Sequence, residues 1–172
     1  IKAGSSAYDI VIPSDYMIQR LIREDMLKKV DVNSLSNYKY IDAKYRDLYF
    51  DPNNEYSVPY NVGMVGLIYN TEMVKEAPTS WEALWDEDLE NSILMFNNPR
   101  DAFGIALKRL GYSMNTENPD EIREAADSLK AQKDVVQAYV MDQIFDKMVE
   151  ENAWIAPYYA GDYLTMSETN ED

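Results

Sequence analysis

Apolar residues follow two spacings along this chain: short β-branched runs closed by a breaker, and stripes at i, i+3 and i+4 among charged residues. The first spacing predicts strands and the second helices. The earliest run, DIVI at 9–12, stops at Pro13 and reads as a parallel strand buried in an α/β sheet. Over 17–28, Ile18, Leu21, Ile22 and Met26 share one face while Arg20, Arg23, Glu24 and Asp25 lie elsewhere, which predicts a surface helix over that sheet. Residues 31–49 are rich in Asn, Ser and Tyr and predict short helical turns, and FDPNNEY at 50–56 is a turn cluster. SVPYNVGMVGLIYN at 57–70 reads as two strand pieces broken by Pro59, Gly63 and Gly66, a run that can leave one lobe and enter another.

Beyond residue 70 the alternation is regular. TSWEALW at 79–85 opens with a capping-box pattern, Thr79 followed by Glu82, and places Trp81, Leu84 and Trp85 in the core. A strand at 92–96 precedes a helix whose Phe103, Ala106, Leu107 and Leu110 recur at helical spacing, and Gly111 ends it. Asn118, Pro119, Asp120 and Glu121 supply a cap, an N1 proline and an acidic first turn to the next helix, with Ile122, Ala125, Ala126 and Leu129 as its buried stripe. A strand at 135–141, a helix at 144–151 and a strand at 153–159 follow, and the polar tail SETNED at 167–172 reads as a frayed end. Strands alternating with helices predict an α/β fold with a largely parallel sheet.

Charge narrows the partners. Lys+Arg 16 against Asp+Glu 31 leaves a net charge of -15, which repels nucleic acid and attracts cations, or serves solubility alone. With 172 residues the chain has material for one good core or two small lobes. Cys 0 and His 0 exclude thiolate–imidazole zinc sites, Ser-His-Asp and Cys-His nucleophiles, histidine acid–base chemistry and disulfides. No metal or other cofactor is called for. No apolar run approaches the length of a membrane span, and Ile1 is not a natural start, so the chain is expected to begin inside a longer precursor.

Candidate chemistry gathers at strand ends. AYDIVIPSDY at 7–16 delivers Ser14, Asp15 and Tyr16 to a strand's carboxyl end, the usual place for a ligand in an open α/β sheet. The same residues fit a strand-to-helix turn with Ser14 or Asp15 as N-cap. Asn98 and Asp101 stand at another such junction, either as N-cap and N3 of a helix or with Asp101 facing a crevice and accepting from a ligand ammonium. Around Gly161, Tyr158, Tyr159 and Tyr163 serve either as core packing or as an aromatic wall for a cation. An α/β enzyme using Asp101 or Asp15 as acid/base is the alternative, opposed by the lack of His, Cys, a P-loop, a dinucleotide glycine pattern or a clear carboxylate pair.

The order AYDIVIPSDY, DPNNEYSVPYNVG, TSWEALW, NNPRDAFGIALKRLGYSMNT and YYAGDY resembles the spermidine/putrescine-binding proteins of ABC transporters over nearly the whole chain. DPNNEYSVPY and ALKRLGYSMNT are its most specific parts. The resemblance implies a type II periplasmic-binding-protein-like α/β fold, with residues 1–62 as part of the first lobe and the crossover, and 63–172 as the second lobe without its C-terminal return. It implies a polyamine held between lobes without catalysis, on the periplasmic or extracellular face of the membrane, and passed to permease and ATPase subunits. The family's Ser and Tyr after the third strand fall on Ser14 and Tyr16, and its acidic pair before the long helix on Asn98 and Asp101, an amide and a shorter carboxylate. A family Trp falls on Tyr159, and a Ser on Met141, just before Asp142. Relatives carry further strands on both sides, so the resemblance makes this chain an interior fragment, expected to bind polyamine weakly or not at all by itself. The open edge of the strand at 7–12 is expected to seek a second copy by swapping or edge pairing, giving a homodimer.

Overall fold

In the computed structural model, Gly4 and residues 8–170 are described. Contacts divide the chain into two compact units, Ile1–Val62 and Gly63–Asp172, each taken by itself below.

The first unit is built from one helix and tight turns. Helix α1 (Asp15–Arg23) starts directly after Pro13 and Ser14, buries Leu21, half-buries Ile18 and Ile22, and stops at Glu24 before Asp25 turns left-handed at φ 53. Residues 9–12 do not form the expected strand: Ile10 is 82% exposed and Ile12 71%. A parallel strand is stable only with a hydrogen-bonded neighbour, and no described residue of this unit is in a strand. The homodimer expected through that edge therefore has no strand there to use. Ala7, which opens the motif, lies outside the described residues. The expected short turns form as 3-10 segments at Val32–Ser34, Tyr38–Tyr40 and Ala43–Tyr45, with Asp31 and Asp42 accepting from Asn33 N–H (3.1 Å) and Lys44 N–H (3.0 Å).

The turn cluster after Phe50 is the polar core of this unit. Asp51 is 3% exposed, and its carboxylate accepts from the N–H groups of Glu55 (3.0 Å), Tyr56 (3.0 Å) and Ser57 (2.8 Å) and from the Ser57 hydroxyl (2.8 Å). Asn54, 1% exposed and left-handed at φ 46, accepts from Tyr38 O–H (2.9 Å) and Asp47 N–H (2.8 Å) and donates to Ser57 C=O (3.3 Å). Asn tolerates that backbone region better than most side chains. Residues 57–64 then run on without a ladder, so only one of the two expected strand pieces exists.

That piece is β1 (Val65–Tyr69), and Gly66 does not break it, being paired with Tyr158 in the ladder. The second unit is a four-stranded sheet in the order β1-β4-β2-β3, with β2 at Ile93–Phe96, β3 at Val136–Val140 and β4 at Ile155–Tyr159. Strand β2 is parallel to both β3 and β4, while β1 runs antiparallel on the edge of β4. Helices α2 (Pro99–Arg109), α3 (Pro119–Gln132), α4 (Gln143–Val149) and α5 (Ala160–Thr169) complete it. All four residues of β2 are buried, with Leu84, Ala102, Ile105, Ile144, Ile155 and Tyr158 among the residues of the same core.

Local rules place these elements well. Asn98 and Asn118 cap α2 and α3 ahead of prolines at N1, and Gly111, at φ 83, follows the end of α2. At 79–85 the capping residue is Ser80 rather than Thr79, accepting from Glu82 N–H (3.3 Å), and the element is a 3-10 turn, Trp81–Trp85. Leu84 is buried, whereas both tryptophans are half-buried against the core. Trp85 Nε1–H donates to Ser128 C=O (3.0 Å), and Arg109 stacks on Trp85 (4.6 Å) while pairing with Glu82. The 167–172 tail is no frayed end where described: Ser167–Thr169 finish α5, whose Met166 is buried, and Asn170 donates to Met166 C=O (2.9 Å) and Val149 C=O (3.2 Å).

Asp51→Ala removes the acceptor of four hydrogen bonds and leaves three N–H groups in a tight loop without a partner. It is expected to destabilise the first unit by about 2–4 kcal/mol. Hydrogen exchange should accelerate at the amides of Glu55, Tyr56 and Ser57, with the sheet of the second unit unchanged.

Candidate functional site

Three parallel strands end together in the second unit, and each end carries a polar group. Phe96 of β2 pairs with Val140 of β3, and the ladder gains one further bond from Asn97 N–H to Val140 C=O (2.9 Å). Beyond these ends lie Asn98 and Asp101 after β2, Asp142 after β3, and Tyr159 as the last residue of β4. In open α/β sheets the crevice outside the carboxyl ends is where ligands bind.

The geometry centres on Asp101. Its Oδ2 accepts from Asn98 Nδ2–H (2.8 Å) and from Tyr159 O–H (3.1 Å). Asn98 Oδ1 accepts from Arg100 N–H (3.0 Å), so the amide has one orientation that satisfies both ends. Asn98, Asp101 and Tyr159 are all half-buried, and among the described residues Asp101 Oδ1 accepts no hydrogen bond. One carboxylate oxygen is thus held and the other is open to a donor. Both readings of Asn98 and Asp101 apply together: Asn98 caps α2, and Asp101 is bonded across to a different strand.

Tyr159 sits in an aromatic group, with its ring 5.4 Å from Phe96 and 5.6 Å from Tyr158. Burial, then the charge and hydrogen bond of Asp101, with smaller contributions from Tyr158 and Asp142, push its hydroxyl up to about 12. At neutral pH it therefore stays a donor. Tyr158 is buried beside it and raised as well, first by burial and then by Asp162, Asp142 and Asp146.

The other two candidates lie in the first unit. Ser14 holds the N-cap position of α1, where its C=O accepts from Met17 and Ile18 (both 3.0 Å), but its exposed hydroxyl makes no capping bond. Tyr16, half-buried, is the second residue of that helix. Asp15 is exposed and accepts from Tyr49 O–H at 3.3 Å. The structure brings Asn98, Asp101 and Tyr159 into one hydrogen-bonded group, and places Ser14 and Tyr16 in a different unit, at the start of α1. Asp142 was not a candidate by sequence; its signal was an acidic residue between a strand and a helix, the position that drew attention to Asn98.

Among the described residues, no three acidic side chains are grouped to hold a metal ion. A cavity of about 410 Å³ opens elsewhere in this unit, lined by Tyr69, Tyr158, Tyr163, Met166 and others with no charged side chain among them. A cation there would lose water without gaining a counter-charge, so the strand-end group is the better candidate. Tyr163 belongs to that cavity.

Residues 5–169 match the family described as bacterial extracellular solute-binding protein. The chain belongs to this family. Among its bacterial extracellular solute-binding relatives, the spermidine/putrescine-binding periplasmic protein of Salmonella typhimurium is 39% identical over 137 residues, covering 79% of this chain and 39% of that one. A putrescine/cadaverine-binding protein of Pseudomonas aeruginosa is 32% identical over 169 residues, covering 94% and 48%. The solved structure of a putative spermidine/putrescine ABC transporter from Listeria monocytogenes matches with a TM-score of 0.91 at 37% identity, over 99% of this chain and 53% of that one. The chain thus spans less than half the length of these two curated relatives. Type II periplasmic binding proteins share this α/β fold.

Because its hydroxyl is raised, Tyr159 favours the folded state below pH 10, and this contribution is lost between pH 10 and about 12. Asp101→Asn should bring the Tyr159 titration down toward 10 but not to it, since burial remains. A ring-carbon NMR titration measures this, and an unchanged midpoint would disprove the contact.

Proposed function

We propose that this chain is the ligand-binding portion of the extracytoplasmic solute-binding component of an ABC importer, and that its ligand is a polyamine such as putrescine or spermidine. The observation that carries the reading is Asp101, a carboxylate held at the carboxyl ends of parallel strands with one oxygen open to a cationic donor. An ammonium reaching Oδ1 would form a charge-assisted hydrogen bond, and the Tyr159 ring would pack on the methylenes beside it. Relatives named for binding spermidine, putrescine and cadaverine support the class of ligand. The net charge of -15 draws such cations in at long range.

In this reading residues 63–172 are the second lobe and 1–62 part of the first, which contributes the Ser14 hydroxyl and the Tyr16 ring. Closing two lobes on the ligand provides the affinity, and the liganded protein is then presented to permease and ATPase subunits at the membrane's outer face. No chemistry is done on the polyamine. Asp101 is bonded to an amide and a phenol that keeps its proton, an arrangement suited to holding a cation and not to moving protons.

Calorimetry with putrescine on the full-length protein tests the assignment. Asp101→Asn should cost about 2–5 kcal/mol of binding, as losing one partner of a desolvated charge pair does. Asn98→Ala should cost about 0.5–1.5 kcal/mol, the worth of one neutral hydrogen bond. Tyr16→Ala should fall between. If Asp101→Asn binds as tightly as the parent, Asp101 is a helix-capping residue alone.

A further inference from the structure

The neighbouring parallel strands β2 and β3 are in register at their ends, so the residues two places beyond Phe96 and Val140 are equivalent: Asn98 and Asp142. Each stands at the N-cap position of the helix that follows, α2 or α4. They use their side chains differently. Asn98 spends its amide on capping and on Asp101. Asp142 has helical backbone angles, φ -59 and ψ -25, and its side chain makes no capping bond. The first turn of α4 is closed through backbone bonds, Ile144 N–H to Met141 C=O (2.9 Å) and Phe145 N–H to Asp142 C=O (3.1 Å). Among the described residues the exposed Asp142 carboxylate has no hydrogen bond or ion pair.

Its charge nevertheless reaches the same aromatic wall as that of Asp101, contributing to the raised hydroxyls of both Tyr158 and Tyr159. Two carboxylates thus follow the neighbouring ends of β2 and β3, on one side of the tyrosines of β4, one of them half-committed to Asn98 and Tyr159 and the other uncommitted. A ligand with a single cation is satisfied by Asp101 alone. A ligand with two cations needs a second negative group.

We propose that Asp142 is the second cation-recognising carboxylate of this site and makes it select diamines and longer polyamines over monoamines of the same chain length. The assignment rests on the polyamine reading above. Asp101 takes one ammonium beside the Tyr159 ring, the methylenes run from the end of β2 to the end of β3, and Asp142 receives the next ammonium from its exposed side. Being exposed, its contribution is sensitive to ionic strength.

The test compares putrescine, spermidine and n-butylamine, which has the putrescine chain with one ammonium removed, on the full-length protein and on Asp142→Asn. The variant should weaken putrescine and spermidine on the order of tenfold at low salt, with the difference shrinking as salt is added, and leave n-butylamine unchanged. Asp142→Glu, which keeps the charge, should recover part of the loss. Melting temperature in the absence of ligand should not move, because no hydrogen bond of Asp142 is removed. An equal loss for n-butylamine and putrescine would make Asp142 a structural residue and overturn the proposal. So would unchanged affinity for all three, while leaving the polyamine reading intact if the parent binds. A parent protein that binds none of the amines overturns both.

Discussion

Burial of β2 on both faces is the constraint from which the second unit follows. Ile93, Leu94, Met95 and Phe96 have no solvent face, so every backbone N–H and C=O of the strand must be paired with β3 or β4. Both partners run parallel to it, and parallel strands need crossover connections, which α2, α3 and α4 provide. The result is that three carboxyl ends share one edge of the sheet. Three separate stretches of the chain, carrying Asn98 with Asp101, Asp142, and Tyr159, are brought there by the hydrogen-bond ladder, and the bond from Tyr159 to Asp101 then ties two of them together. The antiparallel β1 closes the other side of β4 and adds no carboxyl end to that edge.

At that edge, an amide beside Asp101 has a definite electrostatic meaning. Asn98 donates to the carboxylate, where an acidic residue in its place would repel it. Tyr159 adds a second donor whose proton is secured by burial and by Asp101 itself. The carboxylate is thereby oriented, with one oxygen held by two bonds and the other open. Under the polyamine reading proposed above, such preorganisation lowers the ordering cost of taking a flexible cation.

The first unit solves a different problem. It buries few apolar side chains, Leu21 and Val32 among the described residues, and its loop is held by polar side chains that are themselves buried: Asp51 gathers the amides of Glu55, Tyr56 and Ser57, and Asn54 ties Tyr38 to Asp47. A carboxylate so enclosed is tolerated because its lone pairs are met by donors. This gives a physical reason for the specificity of DPNNEYS as a motif. Asp51 supplies two acceptor oxygens to this loop, and Asn54 both accepts and donates within it.

Sequence alone determined whatever depends on near neighbours in the chain. Asn98-Pro99 and Asn118-Pro119 announce helix starts, Gly111 a helix end and ILMF a buried strand, because caps, proline geometry and burial patterns act within a few residues. The candidates Asn98 and Asp101 were legible for the same reason, standing at a junction between elements, whereas Tyr159 was set apart from Tyr158 and Tyr163 only by the family resemblance. Tertiary structure decided the rest. DIVI at 9–12 has every local mark of a strand and is none, since a strand exists only with a partner beside it. SETNED has the composition of a loose end, yet Ser167–Thr169 are helical, because the α5 side chain that is buried is Met166 just before them. Nothing in the linear order says that Tyr159 bonds Asp101, 58 residues away, or that Asp142 stands in register with Asn98. Those facts belong to strand pairing, which joins distant segments through backbone groups identical at every position, and so leaves little trace in the side chains that spell the sequence.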